Sequence, residues 1–309
     1  LLPSVLLVGL LVMLPASLLA IALARSISRP VAALTEATGR MAAGDYGVRV
    51  PLEAQGEGEL AVLGQAFNHM AERVQEADAR QRDFVANVSH DLRTPLTSLR
   101  GFARALLDGT AKSPEQQRRA LEAMDAASER MARLTETLLT LARLEGGGAA
   151  TALDRRPLTL APFLSSCAAA AAGAADAAGA GLLVDCPPEL RALLDEDWMA
   201  RALANLLDNA LRLSPRGGQV GLRAEALPPG QPDGAGLGLW VEDEGPGLSP
   251  EALERAFDRF YRGDPARRAG GSGLGLAIAK EIVEGHGGRI SIANRAEGGA
   301  RVAIRLPAA

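Results

Sequence analysis

The sequence predicts a multidomain chain in which an N-terminal transmembrane helix is followed by dimeric α-helical bundles and a C-terminal α+β sandwich. Three observations lead to this prediction: an uncharged apolar run at the N-terminus, long stretches whose apolar residues recur at intervals of three and four, and a last part that mixes strand and helix patterns. The predicted segments are residues 1–24, 25–77 and 78–145, a linker at 146–156, and 157–309.

Length and composition narrow the possible classes. A chain of 309 residues, 48% of them apolar, has room for two or three domains with buried cores. The net charge is −4, with arginines and acids interspersed, so no basic field large enough for a nucleic-acid partner is present. Cys167 and Cys186 lack the spacing of metal ligands, and we expect both to be packing residues.

Residues 1–24 carry no charge and, as a helix, would extend about 36 Å, enough to cross a hydrocarbon core of about 30 Å. A cleaved signal peptide is the alternative, but no basic region precedes the apolar run. Arg25 and Arg29 follow it, which by the positive-inside rule predicts an inner (plasma) membrane protein with residues 25–309 in the cytoplasm. Because no initiator Met precedes Leu1, we expect a sensing part upstream.

Residues 25–77 predict two short amphipathic helices joined by an extended connector. The first covers 28–43, with Pro30 in its first turn, and the connector at 46–51 alternates apolar and polar residues. The apolar stripe of the second helix contains Leu60, Leu63, Phe67, Met70 and Val74, and His69 is expected to face solvent. Two such helices cannot bury both stripes alone, so a parallel dimeric four-helix bundle is predicted.

This stripe continues without a helix breaker, which predicts one helix as far as Leu106. Its later positions are Phe84, Val88, Leu92, Leu99, Phe102 and Leu106, with Pro95 filling the remaining place. At about 100° per residue, His90 lies on the opposite side, with Asp91 and Thr94 beside it. Pro95 inside a helix costs about 3 kcal/mol, which suggests a function there, although an exposed histidine can also be simply solvated.

A second helix completes a hairpin. Gly109 ends the first helix, and Ser113 followed by Pro114 predicts an N-cap and a first helical turn. The apolar stripe of the second arm is Leu121, Met124, Ala127, Met131, Leu134, Leu138 and Leu141. Two hairpins would close a four-helix core, so a homodimer is predicted here too.

From residue 157 the pattern changes to that of an α+β sandwich. Predicted strands lie at 158–160, 181–184, 220–226, 237–241, 289–293 and 301–306, and predicted helices at 163–178, 196–213 and 274–285. Residues 227–236 are expected to be a loose hairpin connection.

Three short patterns in this domain suggest a nucleotide site. Asn205 and Asn209 lie four apart on one helix face with Arg212 nearby, a set that could hold a hydrated cation and phosphates or be solvated. Asp243 begins a DEGPG turn directly after a strand, where a carboxylate can accept a hydrogen bond from an amine, although such turns are also common structural features.

The third pattern, GSGLG at residues 271–275, opens a helix whose free N–H groups can face an anion. Residues 257–268, FDRFYRGDPARR, form a basic segment that could close over phosphates as a lid or be an ordinary loop.

Together these motifs carry a family resemblance. Residues 25–77 resemble the HAMP linker of membrane receptors through Pro30, GEL at 58–60 and FNHM at 67–70. SHDLRTPL, LANLLDNA, DEGPG, FDRFY and GSGLGLAIAKEIVEGHGG, in this order, resemble the sensor histidine kinases, with their dimerization and phosphoacceptor hairpin and an ATP-binding domain of the gyrase/Hsp90/MutL type.

The resemblance implies a protein-histidine kinase that uses ATP and Mg²⁺ and passes its phosphoryl group to the receiver domain of a response regulator. It implies that His90 is the phosphoacceptor, that Asp91 accepts a hydrogen bond from the other ring nitrogen, and that Thr94 orients water for dephosphorylation of the partner. The implied nucleotide residues are Asn205 and Asn209 for Mg²⁺ and phosphates, Arg212 for phosphates, Asp243, Gly245 and Gly247 for adenine, and Gly271, Gly273 and Gly275 for the triphosphate.

Two other interpretations keep this fold. In one, the protein acts mainly as a phosphatase of its regulator. In the other, it is a non-catalytic scaffold with a decayed site, which the intact Asn209, Asp243 and glycine loops argue against. His286, at a helix end before two glycines, is interpreted as structural.

Overall fold

The computed structural model describes residues 2–51, 58–145, 153–228, 236–263 and 272–307. The chain divides into two compact units, Leu1–Asn87 and Val88–Ala309. The helices are α1 (Leu2–Leu23), α2 (Arg29–Ala42), α3 (Glu59–Leu107), α4 (Pro114–Glu145), α5 (Leu160–Ala178), α6 (Glu196–Leu213), α7 (Pro250–Arg255) and α8 (Gly275–Gly285), with a π-helical turn at Ala24–Ser28. The strands are β1 (Arg156–Thr159), β2 (Gly181–Asp185), β3 (Arg191–Leu194), β4 (Gln219–Leu227), β5 (Gly236–Glu242), β6 (Arg289–Asn294) and β7 (Ala300–Pro307).

The N-terminal helix α1 is the candidate membrane span. It is long and apolar enough to cross a bilayer, and side chains such as Leu11, Met13 and Leu18 are exposed in the protein. Helix α5 passes the same test of length and composition, but Leu160, Phe163 and Leu164 of α5 are buried in the C-terminal domain. An apolar helix whose described side chains are exposed is the better candidate for lipid.

In the first unit, α2 and the start of α3 bury a small core of Ala37, Val48, Val50, Phe67 and Ala71. Val48 and Val50 come from the connector, whose predicted alternation is confirmed by their burial. The Asn68 side chain accepts from the Val50 N–H at 2.8 Å and donates to its carbonyl at 3.0 Å, holding the connector against α3. His69 is exposed, as predicted. Val31, Leu63 and Met70 remain exposed, which leaves an apolar surface for a partner helix.

Helix α3 is unbroken from Glu59 to Leu107, as the continuous apolar stripe predicts. Pro95 lies within it and is buried, in the stripe position that the sequence assigns to it. The helix ends before Gly109, whose φ of +73° is the left-handed conformation that terminates helices. At the start of α4, the Ser113 hydroxyl accepts the Gln116 N–H at 3.1 Å, which confirms the predicted N-cap.

The stripe of α4 is partly buried within the single chain. Buried residues recur every seven positions, at Ala120, Ala127, Leu134 and Leu141, whereas Leu121 is 58% exposed. Because the stripe is predicted to close a core with a second hairpin, the exposure of Leu121 in the single chain leaves its place in the stripe a prediction.

The C-terminal domain has one main sheet covered by helices, which confirms the α+β sandwich. Its strand order is β2-β4-β5-β7-β6, with β2 and β4 parallel and the other pairs antiparallel. A separate antiparallel pair joins β1 and β3. Helices α6 and α8 pack together, and α5 packs on α6 and β2. Their inward faces meet the sheet in a core that includes Leu203, Leu206, Leu207, Leu239, Ile278 and Ile304.

Sequence patterns missed the shortest elements. Strand β3 has four residues and helix α7 six, too few to display a period. The predicted strand at 158–160 was displaced: β1 is Arg156–Thr159, and Leu160 already begins α5. Parts of the predicted linker at 146–156, of the connection at 227–236 and of the lid at 257–268 lie outside the described residues.

Candidate active site

His90 is displayed on α3 with a carboxylate beside it. Its side chain is 77% exposed, and its Nδ1 lies 3.3 Å from Asp91 Oδ1. Thr94, one turn further on, is also exposed, and its hydroxyl lies 3.4 Å from the His90 carbonyl oxygen. Because Asp91 occupies Nδ1, the Nε2 nitrogen is the one left to meet a second reactant.

Asp91 has a second partner that sequence reasoning missed. Its Oδ2 accepts a hydrogen bond from Arg262 Nη2 at 2.8 Å, and the Asp91 side chain is only 17% exposed. The two residues are 171 positions apart in the chain. The one sequence signal was the basic FDRFYR segment, in which Arg262 was assigned only to a possible phosphate lid.

The two asparagines lie on α6, where their spacing places them on the same face. Asn209 Oδ1 accepts a hydrogen bond from Arg212 Nη2 at 2.6 Å, which brings the amide and the guanidinium together. A Cβ built on Gly275 would lie 3.5 Å from Asn205 Oδ1, so the start of α8 adjoins Asn205. The structure thus brings the asparagine pattern and the end of the glycine loop together at one place.

Asp243 follows β5 and is buried, with 6% exposure. Its Oδ1 accepts the N–H groups of Gly245 at 2.8 Å and Ala300 at 3.1 Å. Among the residues that the structure describes, no donor is bonded to its other carboxylate oxygen. That oxygen is an acceptor held by a rigid turn, as recognition of an amino group requires.

The glycines of this turn are required by close approaches. A Cβ on Gly245 would lie 2.8 Å from the Leu213 carbonyl oxygen at the end of α6. Gly247 has φ of +73°, and a Cβ on it would lie 2.9 Å from Asn294 Oδ1. The loop after β5 therefore packs directly on the C-terminal end of the helix that carries Asn205 and Asn209.

The sequence analysis also missed residues at and near the β6–β7 turn that hold the loop after β5 in place. Asn294 exchanges two hydrogen bonds of 2.8 Å with the Leu248 backbone, and Arg295 donates to the Asp243 carbonyl at 2.9 Å. A Cβ on Gly299 would lie 1.9 Å from the Asp243 carbonyl oxygen. The paired glycines at 298–299 were the available signal for this contact.

Of the glycine loop, Gly273 and Gly275 are described and Gly271 is not. Gly273 has φ of +69°, and a Cβ on it would lie 2.7 Å from the Phe260 carbonyl carbon. The Phe260 N–H donates to the Gly273 carbonyl at 2.8 Å, and Phe260 itself has φ of +62°. A bulky residue in this conformation is held there by its surroundings. Gly273 and the FDRFYR segment therefore pack directly on each other and fix each other's position.

His286 has the structural role that the sequence indicates. Its Nε2 accepts the Asp195 N–H at 3.1 Å, so its Nδ1 carries the proton and donates to the Ile282 carbonyl at 2.8 Å. Burial lowers the pKa of His286 below its ordinary 6.5, and the bond to Ile282 only partly offsets this effect. Burial likewise raises the pKa of the Cys167 thiol to about 11, so Cys167 is an unreactive packing residue at neutral pH.

Three family models match successive parts of the chain. Residues 22–76 match the HAMP domain, residues 80–147 match the His Kinase A (phospho-acceptor) domain, and residues 194–309 match the histidine kinase-, DNA gyrase B- and HSP90-like ATPase.

Proteins similar to this chain are named as histidine kinases. The signal transduction histidine-protein kinase BaeS of Escherichia coli is 36% identical over 295 residues, covering 94% of this chain and 60% of BaeS. The histidine-protein kinase/phosphatase MprB of Mycolicibacterium smegmatis is 36% identical over 283 residues, covering 90% of this chain and 55% of MprB. The solved structure of Acinetobacter baumannii histidine kinase AdeS aligns with a TM-score of 0.55 at 25% identity, covering 71% of this chain and 97% of that one. The chain spans less than two thirds of these two curated relatives.

Proposed function

The chain belongs to the sensor histidine kinases, and we propose on this premise that it transfers the γ-phosphoryl group of ATP to His90 and then to an aspartate of a response regulator. The observation that carries the proposal is the exposed imidazole of His90 with Asp91 on its Nδ1, in the same compact unit as the ATPase domain.

The first step is nucleophilic attack by His90. With Nδ1–H donating to Asp91, the Nε2 lone pair attacks the γ-phosphorus, the bond from phosphorus to the β–γ bridging oxygen breaks, and ADP leaves with that electron pair. The imidazole becomes cationic as the N–P bond forms, and the Asp91 carboxylate stabilises this charge through Nδ1.

The described nucleotide residues support binding of ATP as proposed. Asp243 offers to the adenine amino group the oxygen that no described residue binds, and Gly245 and Gly247 permit a flat ring to approach the turn. Arg212 and the N-terminus of α8 face the phosphates. We assign Gly271, Gly273 and Gly275 to the triphosphate on the strength of the loop and its junction with α8.

We assign Mg²⁺ to Asn205 and Asn209. No group of three or more His, Cys, Asp or Glu side chains in the described part of the chain is arranged to hold a metal ion, so a cation here takes amide and phosphate oxygens. When bound, it neutralises charge on the phosphate oxygens. Asn209 already holds Arg212, and the pair thus keeps one cationic group beside the metal site.

The partners follow from the same assignments. We propose a homodimer through the apolar faces of both helical segments, anchored by α1 in the inner membrane with residues 25–309 cytoplasmic. The exposed face of α3 around His90 would meet the receiver domain. The name of MprB includes phosphatase activity, and we propose that Thr94 orients the water that removes the phosphoryl group from the regulator.

Two variants separate these activities. His90→Gln should abolish phosphorylation of the regulator by ATP but leave dephosphorylation of a prephosphorylated regulator. Thr94→Ala should do the reverse, because its hydroxyl is not needed for nucleophilic attack. The measurement is formation and loss of phospho-regulator with the purified chain. If Thr94→Ala dephosphorylated the regulator at the unchanged rate, the role of Thr94 would be wrong.

A further inference from the structure

The ion pair between Arg262 and Asp91 joins the ATPase domain to the helix that carries His90. Arg262 stands at the end of the FDRFYR segment, and Asp91 follows His90 directly. Their contact, Nη2 to Oδ2 at 2.8 Å, lies within one compact unit of the same chain. The sequence suggested Arg262 only as part of a phosphate lid, whereas its contact in the structure is with Asp91, so this contact needs a separate explanation.

The two oxygens of the Asp91 carboxylate contact different residues. Oδ1 faces His90 Nδ1 at 3.3 Å while Oδ2 binds Arg262. A carboxylate on a short side chain can rotate, but a guanidinium bound to one oxygen fixes the plane and directs the other oxygen. Arg262 therefore holds Oδ1 towards Nδ1, which keeps the proton on Nδ1 and Nε2 unprotonated.

Arg262 is itself held by the nucleotide-binding side of the domain. The preceding Phe260 is fixed to Gly273 of the glycine loop by a 2.8 Å hydrogen bond in a left-handed conformation. Arg259 forms an ion pair with Glu281 of α8 at 3.0 Å. The position of Arg262 is thus set by the same loop that leads into α8. The contact with Asp91 therefore fixes the position of the glycine loop relative to the phosphoacceptor helix α3.

A second ion pair also joins the ATPase domain to the hairpin. Arg201 of α6 binds Glu136 of α4 at 2.9 Å, and α4 lies against α8. Near the end of α4, Thr140 and Leu141 are both buried. In the described part of the chain, the hairpin and the ATPase domain therefore meet at the Arg201–Glu136 ion pair as well as at Arg262, and Arg262 is the contact whose partner adjoins His90 in sequence.

We propose that Arg262 is a positioning residue for phosphoryl transfer: by binding Asp91 it aligns the carboxylate on His90 when the ATPase domain docks on the hairpin. This inference rests on the proposed kinase function. Arg262 acts through Asp91, so its loss slows the chemical step and leaves binding of ATP intact.

The test is the rate of phosphorylation of the full chain in lipid nanodiscs at increasing ATP concentration. Arg262→Gln should lower the maximal rate about tenfold, as loss of one charge-assisted hydrogen bond implies, and change the KM for ATP by less than about twofold. Arg262→Lys should recover part of the rate because it keeps the charge. Arg118→Gln, which removes an exposed arginine that pairs with Glu115 and Glu122 of its own helix, is the matched control and should behave as wild type.

A double-variant comparison separates this role from the alternatives. In an Asp91→Asn background, Arg262→Gln should cause no further loss, because the partner through which it acts is gone. A full additional loss, or a rise in KM without a lower maximal rate, would show that Arg262 binds the nucleotide and would overturn the inference. Unchanged kinetics of Arg262→Gln would overturn it as well. In either case wild-type labelling at His90 would leave the proposed function standing, whereas absence of wild-type labelling would refute the function itself.

Discussion

At the scale of single residues, the site depends on carboxylates whose two oxygens have different partners. Asp91 divides its oxygens between His90 and Arg262, and Asp243 gives one oxygen to two backbone N–H groups and keeps the other unbonded among the described residues. In each case one oxygen fixes the orientation of the carboxylate, and this orientation directs the other oxygen, towards His90 in Asp91 and towards the proposed adenine contact in Asp243. The sequence cannot show that the two oxygens of one carboxylate have different partners, because it records Asp91 and Asp243 only as acidic residues in short motifs.

Asp243 provides a direct test of the adenine contact. In Asp243→Asn the amide oxygen can still accept from Gly245 and Ala300, but an NH₂ donor then faces the adenine amino group. We expect ATP to bind at least about tenfold more weakly while the fold is kept. Isothermal titration calorimetry measures the affinity, with the exposed Asp176→Asn as the matched control. Wild-type affinity in Asp243→Asn would show that another group recognises adenine.

His286 makes stability depend on pH. Burial lowers its pKa in the folded protein, so the unfolded chain binds a proton more readily. Its contribution to stability is complete above the unfolded pKa of about 6.5 and is lost as the pH falls through that value towards the lower folded pKa.

We therefore expect the urea concentration at the unfolding midpoint of the wild type to decrease as the pH is lowered from about 7.5 to about 5.5. In His286→Gln, which cannot titrate, the midpoint should be lower at neutral pH and depend less on pH. Equal pH dependence in both proteins would contradict the assignment of a neutral buried imidazole.

At the scale of elements, length decides what the sequence predicts. Helix α3, with 49 residues, was predicted almost to its ends because its stripe repeats many times. Strand β3 and helix α7 were missed because four and six residues cannot show a period. The place of Leu121 in the α4 stripe stays a prediction, because it depends on the second hairpin of the predicted dimer.

Pro95 is an element-scale feature, because it removes a backbone hydrogen bond from the middle of α3. We predict that it marks a bend through which the helix changes between kinase and phosphatase states. Pro95→Ala restores the N–H that can reach the Asp91 carbonyl and should shift the ratio of the two activities. The ratio is measured as the rate of His90 labelling against the rate of phospho-regulator loss. If both rates and their ratio stayed unchanged, this role of the proline would have to be abandoned.

At the scale of the whole molecule, the motifs predicted HAMP, phosphoacceptor and ATPase segments, and the family models match these three kinds of domain in the same order. Three sequence patterns, each weak alone, converge because α6 lies between the loop after β5 and the start of α8. The ion pair between Asp91 and Arg262 could not be predicted, since a contact across 171 residues depends on how two domains dock. Local patterns therefore supplied the candidate residues, and only the fold shows how these residues are placed relative to one another.

Transfer of the γ-phosphoryl group from ATP to His90 is the central claim, and radioactive labelling from γ-labelled ATP tests it most directly. The wild-type chain should take up a label that is lost in acid and kept in alkali, as a phosphorus–nitrogen bond requires, and His90→Gln should take up none. Labelling that persists unchanged in His90→Gln, or a wild-type label that survives acid, would contradict it.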